Sequence, residues 1–172
     1  MKPNEARLSR TVPKRAVQRG FTLIELVVTL AIVAILAALA VPSFSSIALS
    51  SKLNSISSGF VASAQLARSE AIKRNRQVTL GAVSGDWKNG WVVQEGATVI
   101  QTQAALPNGY LMSDQSGGGA TTITFQPTGV GATQVEVVVC RATPTVGEQK
   151  RTITISATGR PDVKKGSATS CS

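Results

Sequence analysis

The sequence contains no histidine in its 172 residues. Histidine is the commonest general base in enzymes and the commonest metal ligand in proteins, so its absence removes two frequent kinds of functional site. The sequence also lacks paired carboxylates at a useful spacing, a nucleophile elbow and a glycine loop that could cradle a phosphate. We therefore expect no enzymatic activity, no cofactor and no metal site.

Acidic residues are scarce: 9 Asp and Glu stand against 18 Lys and Arg, which gives a net charge of +9. The excess lies at the two ends of the chain. Residues 1–20 carry six basic residues and one acid, and residues 140–172 carry six basic residues and two acids. Residues 21–139 carry six residues of each sign. The chain thus has a basic leader, a neutral middle and a basic tail.

Cysteine is also rare, with only Cys140 and Cys171 in the sequence. In an exported domain, a single pair of this kind predicts one disulfide, which would tie the C-terminal tail to the β-structure. Loop-closure entropy gives such a bridge a stabilisation of roughly 3–4 kcal/mol. The alternative is two unpaired thiols in a cytosolic protein, and the apolar segment near the N-terminus argues against it.

One long apolar run is present, from Phe21 to Val41. As an α-helix it is about 31 Å long, which is enough to span a hydrocarbon core. The basic residues precede it, so the positive-inside rule keeps its N-terminal end in the cytoplasm. A secretory signal peptide would have a shorter apolar stretch followed by a small-residue cleavage site. This run passes instead through Pro42 into a polar amphipathic stretch, which favours a single-pass membrane helix.

Glu25 is the charged residue inside this run. An ionised carboxylate in hydrocarbon costs about 3 kcal/mol on insertion scales, so it normally has a partner. Position alone also allows a simpler interpretation, in which the side chain of Glu25 reaches out to the membrane interface.

The residues around Glu25 are more specific when they are taken together. Residues 19–25 read RGFTLIE, after a basic leader and before a span-length apolar run. This stretch resembles the cleavage and assembly motif of type IV pilins and pseudopilins. The resemblance implies that a prepilin peptidase cuts after Gly20 and methylates the new amino terminus at Phe21. It also implies that Glu25 pairs with the terminal amine of a neighbouring subunit and sets the subunit register in a filament.

Beyond Pro42 the chain becomes more polar, and hydrophobic residues recur at steps of three and four. This period predicts that the helix continues to about Arg76, with a kink at Pro42. We expect its apolar face to pack against the protein's own sheet. That face consists of Leu49, Leu53, Ile56, Phe60, Ala64, Ala67 and Ala71.

After Arg76 the period changes to two, and turn residues separate short segments. The more continuously apolar segment 134–140 is expected to be a central strand. Seven strands are predicted, at 77–83, 91–94, 98–102, 110–113, 121–126, 134–141 and 151–157.

The predicted fold class is α+β, with a long N-terminal helix packed on an antiparallel β-sheet head, as in the type IV pilin fold. The expected organisation is a prepilin leader (1–20), a transmembrane and assembly helix (21–41), its amphipathic continuation (42–76) and a periplasmic β-rich head with a basic tail (77–172).

Four further stretches resemble the GspH/FimT branch of minor pilins and pseudopilins. They are LARSEAIKRN at 66–75, DWKNGWVV at 86–93, ITF at 123–125 followed by Gly129, and ITIS at 153–156 followed by Gly159 and Arg160. Each also has a simpler structural interpretation. The charges of the first would form a solvated helix face with favourable i,i+3 and i,i+4 pairs. Trp87 and Trp91 would be core anchors, and the two glycines would be turn residues.

The resemblance implies a structural subunit of a type IV pilus or of a type II secretion pseudopilus. Its partners would be the prepilin peptidase, other pilin or pseudopilin subunits and, before assembly, the lipid of the inner membrane. The basic tail and the predicted disulfide are similar to FimT and FimU and favour the pilus, near the filament tip or in its initiation complex. The type II secretion pseudopilin GspH is the alternative.

The basic tail also suggests a function of another class. FimT-type minor pilins are associated with DNA capture in natural transformation, through a Gly-Arg-any-Arg element. Here residues 159–162 read GRPD, with an acid in place of the second arginine, and Lys164 and Lys165 follow. Binding of double-stranded DNA through phosphate contacts needs exposed cations but no base-reading geometry. A solvated charge run is the competing explanation. The candidate cations are Lys150, Arg151, Arg160, Lys164 and Lys165.

Overall fold

The structure, a computed structural model, describes residues 20–131, 133–142, 149–167 and 171, without the side chains of 40–43. The leader predicted at the N-terminus thus lies, apart from Gly20, outside the described residues. The chain divides into two compact units, Met1–Ala40 and Val41–Ser172, and each is described by itself.

Helix α1 runs from Leu23 to Arg74 and contributes to both units. In the first unit, the side chains of residues 23–39 are all exposed. By length and composition, this part of the chain can cross a membrane. The kink at Pro42 stays a prediction.

In the second unit, one face of α1 is buried, and it is the predicted one. All seven residues of the apolar stripe are at most 8% exposed. The helix ends two residues earlier than predicted because Asn75 takes a left-handed conformation, with φ of 53°. Its N–H and that of Arg76 donate to the carbonyls of Ile72 and Ala71, which completes a Schellman cap.

Eight strands form two four-stranded antiparallel sheets, and two short 3₁₀ segments, Val83–Gly85 and Trp87–Asn89, connect the first two strands. Sheet A has the order β3-β2-β1-β5 and sheet B the order β4-β6-β7-β8. The strands are β1 Val78–Ala82, β2 Trp91–Glu95, β3 Thr98–Gln103, β4 Tyr110–Asp114, β5 Thr122–Phe125, β6 Val135–Arg141, β7 Gln149–Ile155 and β8 Pro161–Ser167.

The sequence pattern predicts seven strands in one antiparallel sheet, whereas the structure has eight strands in two sheets. The missed strand is β8, which begins with a proline and carries three charged residues. Edge strands commonly carry proline and charge, because these residues protect an open edge from pairing with another chain. Such a composition lacks the apolar alternation from which strands are predicted.

The core lies between the buried face of α1 and the two sheets. The predicted central position of β6 is confirmed, since it pairs with β4 and β7. Phe60 of α1 is fully buried between two tryptophans. Its ring meets those of Trp87 and Trp91 edge to face, with centroids 5.2 Å apart in each case. The predicted role of both tryptophans as core anchors is confirmed.

Candidate functional site

The start of α1 is held by reciprocal hydrogen bonds between Thr22 and Glu25. Because the helix begins at Leu23, Thr22 is its N-cap and Glu25 its third residue. The N–H and the hydroxyl of Thr22 donate to Oε2 of Glu25 at 2.9 and 2.8 Å. The N–H of Glu25 donates to Oγ1 of Thr22 at 3.2 Å. This arrangement is a capping box, which supplies acceptors to N–H groups that the helix leaves unpaired.

The capping box gives the carboxylate of Glu25 a partner within its own chain. The negative charge also lies at the positive end of the helix dipole. Both bonds use Oε2, and no described residue donates to Oε1. One carboxylate oxygen can therefore still accept a hydrogen bond from another molecule. The contribution of Thr22 was missed by sequence reasoning, although the Thr-x-x-Glu spacing is a known capping signal.

The peptide bond between Gly20 and Phe21 lies immediately before the helix. Both residues are non-helical and exposed, and the side chain of Phe21 is 85% exposed. A peptidase needs an accessible backbone that can be extended, and this segment meets that requirement. Cleavage and methylation at these residues stay predictions.

Arg151, one of the candidate DNA contacts, is buried against α1, with 2% of its surface exposed. Its Nε donates to Oδ1 of Asn54 at 2.8 Å, and its Nη2 donates to Oγ of Ser50 at 2.9 Å. Burial lowers the pKa of this guanidinium, which is still protonated at neutral pH. The expectation that Arg151 contacts DNA is therefore wrong: its donors already bind the helix. The period of β7 could have revealed this, since Arg151 alternates in phase with the buried Ile153 and Ile155.

We expect Arg151→Ala to lower the free energy of unfolding by about 2–3 kcal/mol, since hydrogen bonds from a charged group and the packing of its alkyl chain are lost. Arg160→Ala, at an exposed position, is the matched control and is expected to change it by less than about 0.5 kcal/mol. Denaturant titration of the full chain in detergent, followed by tryptophan fluorescence, measures both. Equal losses in the two variants would contradict the helix-clamping role of Arg151.

The four other candidate cations do not share one surface. Lys150 and Lys164 lie on the face of sheet B that points away from α1. Lys165 pairs with Arg151 and therefore lies on the face that points toward α1. Arg160 is exposed at the turn between β7 and β8. Asp162 lies on the same face as Lys164, between it and that turn. The structure thus places these cations on two faces and at a turn and not on one surface, and DNA binding stays an untested alternative.

Three of the four stretches that resemble the GspH/FimT branch meet at one junction, through Arg68, Gly129 and Gly159. Gly129 and Gly159 each close a tight turn, with φ of 78° and 70°, so their predicted turn roles are confirmed. The turns pack together so closely that a Cβ on Gly159 would lie 2.6 Å from the carbonyl oxygen of Gly129. Nε of Arg68 donates to the same oxygen at 2.7 Å. Arg68 therefore fastens α1 to this junction and does not belong to a solvated helix face.

The other charges of the first stretch behave as predicted. Glu70 accepts from Lys73 at 3.4 Å and from Arg74 at 2.5 Å, which are the i,i+3 and i,i+4 pairs. The hydrogen bond from Arg74, together with the charge of Lys73, lowers the pKa of Glu70. Nη1 of Arg74 also donates to Oε2 of Glu95 at 2.9 Å, so this ion-pair cluster connects the end of α1 with β2.

The remaining stretch, DWKNGWVV at 86–93, anchors the second 3₁₀ segment to the core. The indole N–H of Trp87 donates to the carbonyl of Ala120 at 2.8 Å, and that of Trp91 to Oγ of Ser63 at 2.9 Å. A side chain at Gly90 would collide with the backbone of Gln103. Packing and backbone contacts thus account for both tryptophans, for Arg68 and for the close approach at Gly90.

The predicted disulfide is present between Cys140 and Cys171, with their Cα atoms 5.7 Å apart. Cys140 is buried on β6, and Cys171 follows β8. The bridge therefore ties the C-terminal tail to sheet B, and the predicted disulfide is confirmed.

Comparison with known proteins agrees with this architecture. The family model of Type II transport protein GspH matches residues 57–159, and the model of the prokaryotic N-terminal methylation motif matches residues 15–41. No protein with a curated description matches the chain.

Two kinds of solved structure share the fold. A crystal structure of the type IV minor pilin FimU of Pseudomonas aeruginosa has 23% sequence identity and a TM-score of 0.57, and the match covers 70% of this chain and 100% of that one. The minor pseudopilin EpsH of the Type 2 Secretion System of Vibrio cholerae has 12% identity and a TM-score of 0.52, over 66% of this chain and 96% of EpsH. The predicted type IV pilin fold is thereby confirmed.

The two family models cover separate parts of the chain, the assembly motif at the N-terminus and most of the head. The GspH model alone spans more than half of the 172 residues. The chain therefore belongs to the GspH family and is a minor pilin or pseudopilin of a type IV pilus or a type II secretion system.

Proposed function

We propose that this chain is cleaved between Gly20 and Phe21, held in the inner membrane by one helix, and then assembled through Glu25 into a filament. The observation that supports this best is the order of features at the start of α1. An accessible Gly-Phe peptide is followed directly by a capped carboxylate with one free oxygen.

Each step follows from the chemistry of these residues. Hydrolysis of the peptide bond releases an amine on Phe21, and methylation leaves that amine basic, so that it stays cationic at neutral pH. Within a bundle of apolar helices, the low dielectric strengthens the attraction between the amine and a carboxylate. Oε1 of Glu25 in a neighbouring subunit supplies the partner, while the capping box keeps this carboxylate oriented.

We further propose a place in a type IV pilus, near the tip or in the initiation complex. The disulfide that fastens the end of the chain and the basic composition of residues 140–172 support the pilus over the secretion system. The genes beside this one distinguish the two directly. Neighbouring minor pilin genes would support the proposal, and genes for a secretion ATPase and a secretin would overturn it.

Processing is tested by the mass of the chain extracted from the membrane. The expected product begins at N-methylated Phe21, with Cys140 and Cys171 oxidised, and a strain without prepilin peptidase should retain the leader. A mature N-terminus beyond Val41 would show an ordinary signal peptide and contradict the proposal.

A further inference from the structure

Sheet B carries its charges in two separate zones. The pairing register places one residue of each strand side by side across the sheet, and we call each such set of paired residues a row. Four successive rows at one end hold all the basic residues of these fully described strands: Arg141, Lys150, Arg151, Lys165 and Lys164. The next two rows hold all their acids: Asp114, Glu136 and Asp162. With a rise of about 3.4 Å per residue, the basic zone is about 10–14 Å long.

The basic zone lies beside the first turns of α1 in the second unit. Nε2 of Gln149, in the outermost row, donates to the carbonyl of Ser46 at 3.3 Å. Arg151, two rows further in, binds Ser50. Ser46 is five residues beyond Val41, where the apolar run ends, which is about 8 Å along a helix. The basic zone therefore lies at the end of the head from which α1 leads back along the chain to the apolar run.

Exposed apolar residues flank the same end of the head. Phe44 is 72% exposed and Ile47 is 62% exposed, on the helix turns that adjoin the basic zone. Helices that lie in the membrane–water interface typically combine exposed apolar side chains such as Phe with neighbouring lysines. The acids of sheet B lie in the rows farther from Ser46, where they would not oppose an anionic surface.

We propose that the accessible lysines of the basic zone, Lys150, Lys164 and Lys165, together with Phe44 and Ile47, dock the head on anionic phospholipid headgroups before the chain enters a filament. This inference rests on the proposed membrane insertion. Lys150 and Lys165 lie one and two rows beyond Gln149, and their charges would attract an anionic surface that approaches this end of the head to within about one Debye length. Each lysine near an anionic surface is expected to strengthen docking by roughly fivefold.

Amine labelling of the full chain in lipid nanodiscs tests the proposal, because both faces of a nanodisc are open to the reagent. Discs of phosphatidylcholine are compared with discs that contain phosphatidylglycerol, and peptide mass spectrometry reads each lysine. Lys73 is the internal control, since it lies on α1 about 40 Å beyond Ser46 and its side chain is 76% exposed.

In the anionic discs, labelling of Lys150 and of Lys165 should fall at least threefold. This threshold is set below the roughly fivefold gain in docking that each lysine is expected to contribute. Labelling of Lys73 should stay constant. High salt should restore the labelling, because it screens the attraction. Lys150→Gln should raise the labelling of Lys165 in anionic discs, whereas Lys73→Gln should not.

Equal labelling of Lys150 and Lys165 in the two lipids would overturn the docking proposal. Incorporation of the chain into both kinds of disc is measured first, and its failure would count against membrane anchoring and not against docking. Duplex DNA added to phosphatidylcholine discs provides the third arm. Protection of the same lysines by DNA, without protection by anionic lipid, would assign the basic zone to nucleic acid and reject the lipid proposal.

Discussion

Glu25→Ala is expected to leave membrane insertion intact and to lower incorporation into the filament by more than about 30-fold. The loss follows from the proposed pairing, because removing one partner of a buried charge pair costs about 2–5 kcal/mol, and about 1.4 kcal/mol is a factor of ten. Insertion itself should be unchanged or improved, since a charged residue is removed from the apolar segment. Sheared filaments and the membrane fraction, quantified by mass spectrometry, report the two effects separately.

Two matched variants separate the ion pair from the capping box. Glu25→Gln keeps an oxygen that can accept from Thr22 but removes the charge, so we expect it to assemble as poorly as Glu25→Ala. Thr22→Val removes the capping hydroxyl and leaves the carboxylate, and a lost cap costs about 1 kcal/mol. Its incorporation should fall only about fivefold. Wild-type incorporation of Glu25→Gln would show that the carboxylate serves only to cap the helix.

Phe60→Ala is expected to lower the free energy of unfolding of the head by about 4 kcal/mol, within the range for Phe-to-Ala substitutions in cores. Phe60 is fully buried, and its ring contacts both tryptophans edge to face. Each such aromatic pair adds about 0.5–1.5 kcal/mol beyond its buried area. Small domains are stable by only about 5–15 kcal/mol in total, so the variant should be severely destabilised.

Phe44→Ala is the control for this prediction, because it deletes the same side chain at a position that is 72% exposed. In detergent it should change the unfolding free energy by less than about 0.5 kcal/mol. Denaturant titrations that follow Trp87 and Trp91 fluorescence compare the two variants. A loss at Phe60 no larger than that at Phe44 would mean that α1 does not pack on the sheets as described.

The basic tail shows why the charge of a segment does not define a surface. Residues 140–172 have an excess of four basic residues, and this sum, together with the Gly-Arg element at 159–160, suggested a DNA-binding patch. In the fold, Arg151 is buried on α1, Lys150 and Lys165 lie on opposite faces of sheet B, and Arg160 lies at a distant turn. The strand register, and not the composition, decides which cations are neighbours.

The features that the sequence by itself determined depend on short stretches of chain. The apolar run follows from length and hydrophobicity. The buried face of α1 follows from seven hydrophobic residues that recur at steps of three and four between Leu49 and Ala71. The disulfide was predictable because the chain has only two cysteines. The Thr22–Glu25 capping box was also readable in principle, since its partners are three residues apart.

Only the tertiary structure decided the features that depend on pairing between distant segments. It divided the strands between two sheets, made β8 an edge strand, and placed Arg151 against a helix residue 97 positions earlier in the chain. It also brought Arg68, Gly129 and Gly159 to one junction and sorted the charges of sheet B into two zones. Local periodicity shows which face of a strand is buried but not which strand lies beside it, because register is set by the packing of the whole core.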